Sequence, residues 1–268
     1  MIDFHVHIFP DNMAVDTVEV LAETAGIDHH SDGTVGSLFA GMHKTGVTHA
    51  VNLPVATKPE QVHGINRWII AQRKKHPWLV SFGAMHPLYP HPREEIAFLK
   101  ENGVQGIKLH PEYQNFYPDD AHCAAMYEAC RAYGLIVHFH AGVDLAYADC
   151  HGCPERFVSV LGIPGLKVVL AHMGGYRMWD AVEKYLVGKP VYFDTSVSYE
   201  MGAHHMRRMI QAHGPDRILF GTDSPWDYAD RMKKFIETLN LGKAAEHEIF
   251  TANAASLLGL HAPFVVPR

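Results

Sequence analysis

Eight short runs rich in valine and isoleucine recur along this chain, and between them lie longer stretches whose apolar residues return every three or four positions. The runs cover residues 2–8, 47–53, 79–85, 104–110, 135–140, 167–172, 190–196 and 217–223. Strand signals alternating with helix signals point to repeated β-α units around a parallel sheet, because each crossover helix covers a face of the sheet it feeds. Near-continuous apolar strands are what a sheet buried on both faces demands. Several helical stretches stop on a glycine just before a run, at Gly46, Gly103 and Gly134, where a left-handed C′ position is expected. The expected architecture is therefore an α/β (β/α)8 TIM barrel, one domain over residues 1–268. An open doubly wound sheet would place a glycine-rich phosphate loop after its first strand, and His7-Ile8-Phe9-Pro10-Asp11 is no such loop.

Charge narrows the partners. The 29 acidic residues outnumber the 23 lysines and arginines, so there is no basic field for a phosphate backbone and no nucleic-acid partner is expected. No apolar run reaches the roughly 20 residues of a membrane span, and a strand starting at residue 2 leaves no room for a leader. A cytoplasmic protein acting on a small-molecule substrate is expected. Four cysteines are too few for a disulfide scaffold. Cys123 and Cys130 suit a helix core or surface, and Cys150-His151-Gly152-Cys153, with no second C-x-x-C to complete a zinc site, reads as a pair of reduced loop thiols. Histidine is the anomaly, with 21 copies, although His29, His30, His204 and His205 fall in loop or polar helical contexts and need no role.

The informative histidines close the strands. A barrel builds its active site at the carboxyl ends of its strands, and there this sequence places His5 and His7, His86, Lys108 and His110, His138 and His140, His172, Asp194 and Asp223. Burying such a row without purpose would cost several kcal/mol per unpaired group. In a regular first strand His5 and His7 share one face, with Phe4, Val6 and Ile8 on the other. Neutral imidazoles with a carboxylate and no thiolate are the donor set of a catalytic zinc or similar divalent ion. On the fifth run His140 lies nearer the mouth, while His138 sits one layer deeper as a packed, hydrogen-bonded histidine.

Taken in order, these motifs resemble a known family. His5-Val-His7, Gly106-Ile-Lys-Leu-His-Pro111, Val137-His-Phe-His-Ala-Gly142, Val169-Leu-Ala-His-Met-Gly-Gly175, Val191-Tyr-Phe-Asp-Thr-Ser196 and Phe220-Gly-Thr-Asp-Ser-Pro225 are similar to the strand-end motifs of the amidohydrolase superfamily, in its amidohydrolase-2 branch. Residues 251–260 resemble the terminal helix of that branch. The resemblance implies one divalent metal, usually zinc, held by His5, His7, His140 and Asp223, with manganese as an alternative. It implies that His172 serves the chemistry. In related branches a carboxylated lysine on the fourth strand bridges two metals, which leaves a second ion at Lys108 open; the alternative is a lysine paired with a substrate carboxylate or with Asp194. The expected reaction is hydrolysis of a small amide, ester or lactone, with Asp223 moving the proton, His172 stabilising the oxyanion, and Lys108, His110, His86 and Arg177 binding substrate. Decarboxylation of a small aromatic or related acid is the alternative, and the decarboxylases of the branch tend to carry an inserted segment for which this chain has little space. Residues 144–154 and 224–228 are expected in the pocket wall, and a homodimer would fit the family.

Overall fold

All eight expected runs form strands, and every strand pair is parallel. The structure is a computed structural model that describes residues 1–261. Its strands are β1 (Ile2–Val6), β2 (His49–Asn52), β3 (Leu79–Ser81), β4 (Gly83–Ala84), β5 (Gly106–Leu109), β6 (Ile136–Phe139), β7 (Lys167–Leu170), β8 (Tyr192–Asp194) and β9 (Ile218–Leu219). β3 and β4 are successive pieces of one run interrupted at Phe82, so nine strands fill eight barrel positions. Pairing follows chain order, β1 to β3 in one sheet and β4 to β9 in the other. Last and first strands are laced together by Phe4 N–H to Phe220 O at 2.7 Å, Asp223 N–H to His5 O at 2.8 Å and His7 N–H to Ser224 O at 2.6 Å. That seam brings His5, His7 and Asp223 to one place.

The helices begin and end for local reasons. Thr34 caps the helix Val35–Thr45 by accepting from Ser37 N–H at 3.1 Å. Gly46 and Gly134 end their helices at φ 74° and 68°, a conformation that would strain most side chains.

Two apolar layers hold the barrel. An outer one lies between strands and helices and includes Val6, Ile107, Val137, Phe139, Leu170, Phe193 and Phe220. An inner one fills the barrel with Ile2, Phe4, Val51, Phe82, Ile136, Val169 and Leu219, and meets Ala254, Ala255 and Leu258 of the helix Asn253–Leu258. Burying each such large side chain stabilises by roughly 1.5–3 kcal/mol. Asn253 anchors that last helix by donating to Pro215 O and Ile218 O, beneath the start of β9, so the helix stops the amino-terminal end of the barrel and leaves the other end for chemistry.

One detail of β1 departs from the regular alternation. Its register against β2 shifts between Asp3 and Val6, and this bulge turns Phe4 inward, 6.2 Å from the His138 ring, together with His5. The expectation that Phe4 faces away from His5 is therefore corrected; Val6 and Ile8 do face the outer layer. Among the described residues no helix is long and apolar enough to cross a membrane.

Candidate metal centre

At the β1–β9 seam three electron-rich atoms converge. His5 Nε2 and His7 Nε2 lie 3.2 Å apart, and each is 3.1 Å from Asp223 Oδ1. The far nitrogens decide the tautomers. His7 Nδ1 faces the Leu53 carbonyl at 2.9 Å and must donate to it, and His5 Nδ1 faces the Asp194 carboxylate at 2.9 Å. Both Nε2 atoms are thus left with lone pairs turned toward each other and toward a carboxylate. Three acceptors at this spacing repel unless a cation or a proton lies among them, and the nitrogen and oxygen donor set suits zinc, manganese or a similar divalent ion.

His140 does not join this triangle directly. It groups with His110 and Asp144, with ligand atoms within 4.8 Å of one another. Its ring stacks on His110 with centroids 4.1 Å apart, and its Nδ1 lies 3.1 Å from His172 Nε2. His172 Nδ1 in turn faces the Ser196 carbonyl at 3.2 Å and donates to it. The chain of donors runs from His140 through His172 to Ser196, leaving His140 Nε2 as a buried lone pair without a hydrogen-bond partner. A third imidazole is therefore presented in the form a metal ligand requires.

Asp194 organises the layer beneath. Fully buried at the end of β8, its Oδ2 accepts from His5 Nδ1 and His138 Nε2, each at 2.9 Å, and its Oδ1 accepts from the Ser196 hydroxyl and the backbone N–H of His172 and Ser196. Burial alone would raise this carboxyl, but His5 and His138 override it and hold it well below the usual carboxylate range. Asp223 is held low in the same way, against burial, by His5, His7 and His172. Burial, followed by Lys108, lowers His5 to about 4, which keeps its imidazole neutral. His172 and Asp223 both adopt positive φ, 58° and 70°, and non-glycine strain of this kind gathers at functional sites.

The other candidates separate by their partners. Lys108 is buried, lowered to about 8 chiefly by burial, and its Nζ contacts His138 Nδ1 at 3.2 Å. Its hydrogen-bond link to Asp194 runs through His138, which is packed below the mouth, while the charges of Asp194 and Asp223 pull Lys108 up against burial. His110 has Asp144 Oδ2 at 3.4 Å and Glu112 Oε2 at 3.5 Å. His86 is buried after β4 and accepts from Leu88 N–H, with Glu60 and His122 as its charged neighbours. Arg177 is turned to Glu200, in a bidentate pair at 2.7 and 2.8 Å on the surface, and does not meet the centre. A groove of about 1220 Å³ lined by Phe39, Trp68 and Trp78 lies outside the barrel and contains none of these residues.

Sequence reasoning missed three contributors, Asp3, Ser196 and Glu112, and reached a fourth, Asp144, only as part of the loop 144–154 expected in the pocket wall. Asp3 accepts from the Thr222 hydroxyl at 2.7 Å and from its N–H at 3.1 Å, pinning the residue before Asp223. It shares the period-two register of His5 and His7, a signal that could have found it. Ser196 repeats that spacing after Asp194. Asp144 and Glu112 sit in loops, where no periodicity marks them.

A parallel eight-position barrel with imidazoles and a carboxylate converging at its carboxyl-terminal mouth defines a barrel enzyme of the metal-dependent type. The amidohydrolase family profile matches residues 2–260, and the chain belongs to that family. Solved structures agree on the fold. An uncharacterized TIM-barrel protein from Bordetella bronchiseptica superposes with a TM-score of 0.76 at 18% identity, over 97% of this chain and 98% of the other. A probable 2-pyrone-4,6-dicarboxylic acid hydrolase from Acinetobacter baumannii, solved with citric acid, gives 0.71 at 17% over 97% and 99%. A dihydroxybenzoic acid decarboxylase from Polaromonas, solved with manganese and 2-nitroresorcinol, gives 0.72 at 17% over 98% and 97%. No curated protein matches the chain.

Proposed function

We propose that this protein is a metal-dependent hydrolase of a small amide, ester or lactone. The observation that carries the reading is the triangle of His5 Nε2, His7 Nε2 and Asp223 Oδ1, with both far ring nitrogens tied to acceptors. His5, His7 and Asp223 would hold the ion, with the unpartnered His140 Nε2 as fourth ligand. A bound divalent ion supplies an activated water at neutral pH and polarises a carbonyl. Zinc is the first choice for this donor set and manganese the second.

The chain's own groups do the rest. Asp223, ionised and at the seam, takes the proton of the attacking water and returns it to the leaving group. His172, whose strained backbone is held by Asp194, would stabilise the developing oxyanion as an imidazolium, because in the neutral form its Nε2 is the acceptor for His140 and carries no proton. His110 meets the polar end of the substrate, with His86, buried after β4, as a further candidate contact; Lys108 positions His138. The partner is a small molecule, in a cytoplasmic setting, and a homodimer is compatible.

Decarboxylation by the same site is the second reading. It is favoured by the likeness to the Polaromonas decarboxylase and to a 5-carboxyvanillate decarboxylase from Sphingomonas paucimobilis, which has a TM-score of 0.71 over 97% of this chain and 99% of the other. With 97–99% of those chains covered, length does not separate the reactions. The test is a product assay on protein loaded with zinc or manganese, offered lactones and esters in one panel and carboxylated phenols in another. New carboxylate from the first panel, lost in Asp223→Asn, is expected; CO2 release from the second panel alone would replace hydrolysis by decarboxylation.

A further inference from the structure

The two cysteines of the C-x-x-C motif are not among the groups that converge on the metal centre, and the fold gives them a setting that the sequence did not disclose. Cys150 Sγ and Cys153 Sγ are 2.8 Å apart, and both residues are half-buried. Met178 Sδ lies 3.5 Å from Cys150 Sγ, and the Gly142 carbonyl 3.3 Å from it. Cys153 stands at the N-terminus of the helix Pro154–Leu161. The segment between β6 and this helix is closed at its neck by Gly142 N–H to Gly152 O at 2.8 Å. Inside the Cys150 to Cys153 span, His151 N–H and Gly152 N–H both donate to Glu112 Oε1 at 2.9 Å. The neck is therefore already folded into the shape that a short crosslink would hold.

We propose that Cys150 and Cys153 form a dithiol that a small disulfide such as oxidised glutathione converts to an intramolecular disulfide. The sulfurs need to close only to the ~2.05 Å of a bond; oxidation gives up the thiol contacts of Cys150 with the Gly142 carbonyl and of Cys153 with the Cys150 carbonyl, while the backbone bond across the neck stays in place. Burial raises both thiols, so the resting pair is protonated. Cys153, as thiolate, attacks one sulfur of the donor and expels one donor thiolate, giving a mixed disulfide. Cys150 then attacks the Cys153 sulfur and expels the second donor thiolate. The protein loses two electrons and two protons, and the donor gains both as two thiols. The crosslink encloses the two amides that hold Glu112, whose other oxygen faces His110, so it stiffens the strap beside the candidate centre.

The experiment treats reduced full-length protein with excess oxidised glutathione, alkylates it under native conditions, and reads intact mass and peptide maps. Wild type is expected to lose two hydrogen atoms and both alkylatable thiols at positions 150 and 153, retaining no glutathione. Cys150→Ser is expected to stop at one glutathione on Cys153, and Cys153→Ser to react far more slowly. Wild type that keeps both thiols alkylatable, that retains a stable adduct, or whose bridge maps to Cys123 or Cys130 would overturn the assignment. Equal rates in the two single variants would overturn the order of attack. None of these readouts depends on the metal or on the substrate.

Discussion

Asp194 is a fully buried carboxylate and Asp223 a half-buried one at the barrel mouth, and their contacts give them different work. Asp223 points an oxygen at two imidazole lone pairs, so Asp223→Asn is expected to leave the fold intact and cut turnover by about 10²–10⁴-fold, the usual contribution of a proton-transfer group. Steady-state rates on the substrate found by the product assay check this; unchanged turnover would remove Asp223 from the chemistry. Asp194 touches no lone pair of the triangle and acts through His5. Asp194→Asn keeps the volume but sets an amide donor against ring N–H groups, and metal affinity is expected to fall about 10–100-fold. Competition with a chelator measures it, and wild-type affinity in this variant would show that Asp194 does not orient His5.

At the scale of elements, the seam between β1 and β9 is where packing and chemistry meet. Gly221 lies on that seam, and a Cβ there would come within 3.0 Å of His5 Cβ and 3.3 Å of Asp194 Cβ. Gly221→Ala is expected to destabilise by about 1–3 kcal/mol through overpacking and to weaken metal binding together with stability. Gly64, exposed within the helix Val62–Lys75, has nothing within 4 Å of such a Cβ. Gly64→Ala is expected to stabilise by about 0.5–1 kcal/mol by lowering backbone entropy loss. Urea unfolding of the pair tests the contrast, and equal signs would contradict it. The strand and helix positions were legible because period and glycine stops are local properties. The bulge in β1 was not, since it depends on the partner strand's register.

For the molecule as a whole, the candidate ion links stability to composition of the medium. An ion that binds only the folded chain adds about 2.7 kcal/mol at a concentration 100 times its dissociation constant, so chelator is expected to lower Tm and added zinc or manganese to restore it. His7→Ala should abolish that response in a thermal scan. A pH effect comes from Asp227, 2% exposed, which burial pushes up to about 6 against the pull of Tyr228 N–H and Arg231. Its folded value lies above the unfolded 3.8, so ionisation disfavours the fold: stability from this group is full below about 4 and falls as pH rises through about 6. Asp227→Asn is expected to flatten that decline, with a gain of at most about 3 kcal/mol at pH 8. A decline of the same depth in both proteins would exclude Asp227 as its source.

The sequence by itself determined the eight-fold alternation, and with it which residues close the strands at the mouth. Period-two and period-3.6 patterns survive without any knowledge of neighbours, so His5, His7, His140, His172, Asp194 and Asp223 could be singled out as strand-end groups. The partners of each group belong to tertiary structure. Arg177 looked available for a substrate carboxylate until Glu200 took its guanidinium, and Lys108 proved to meet His138. Asp144 and Glu112 reach His110 from loops whose sequences carry no period. Only the closed barrel decides which imidazole nitrogens keep lone pairs, because tautomers follow from contacts between residues as distant in the chain as His5 and Asp194.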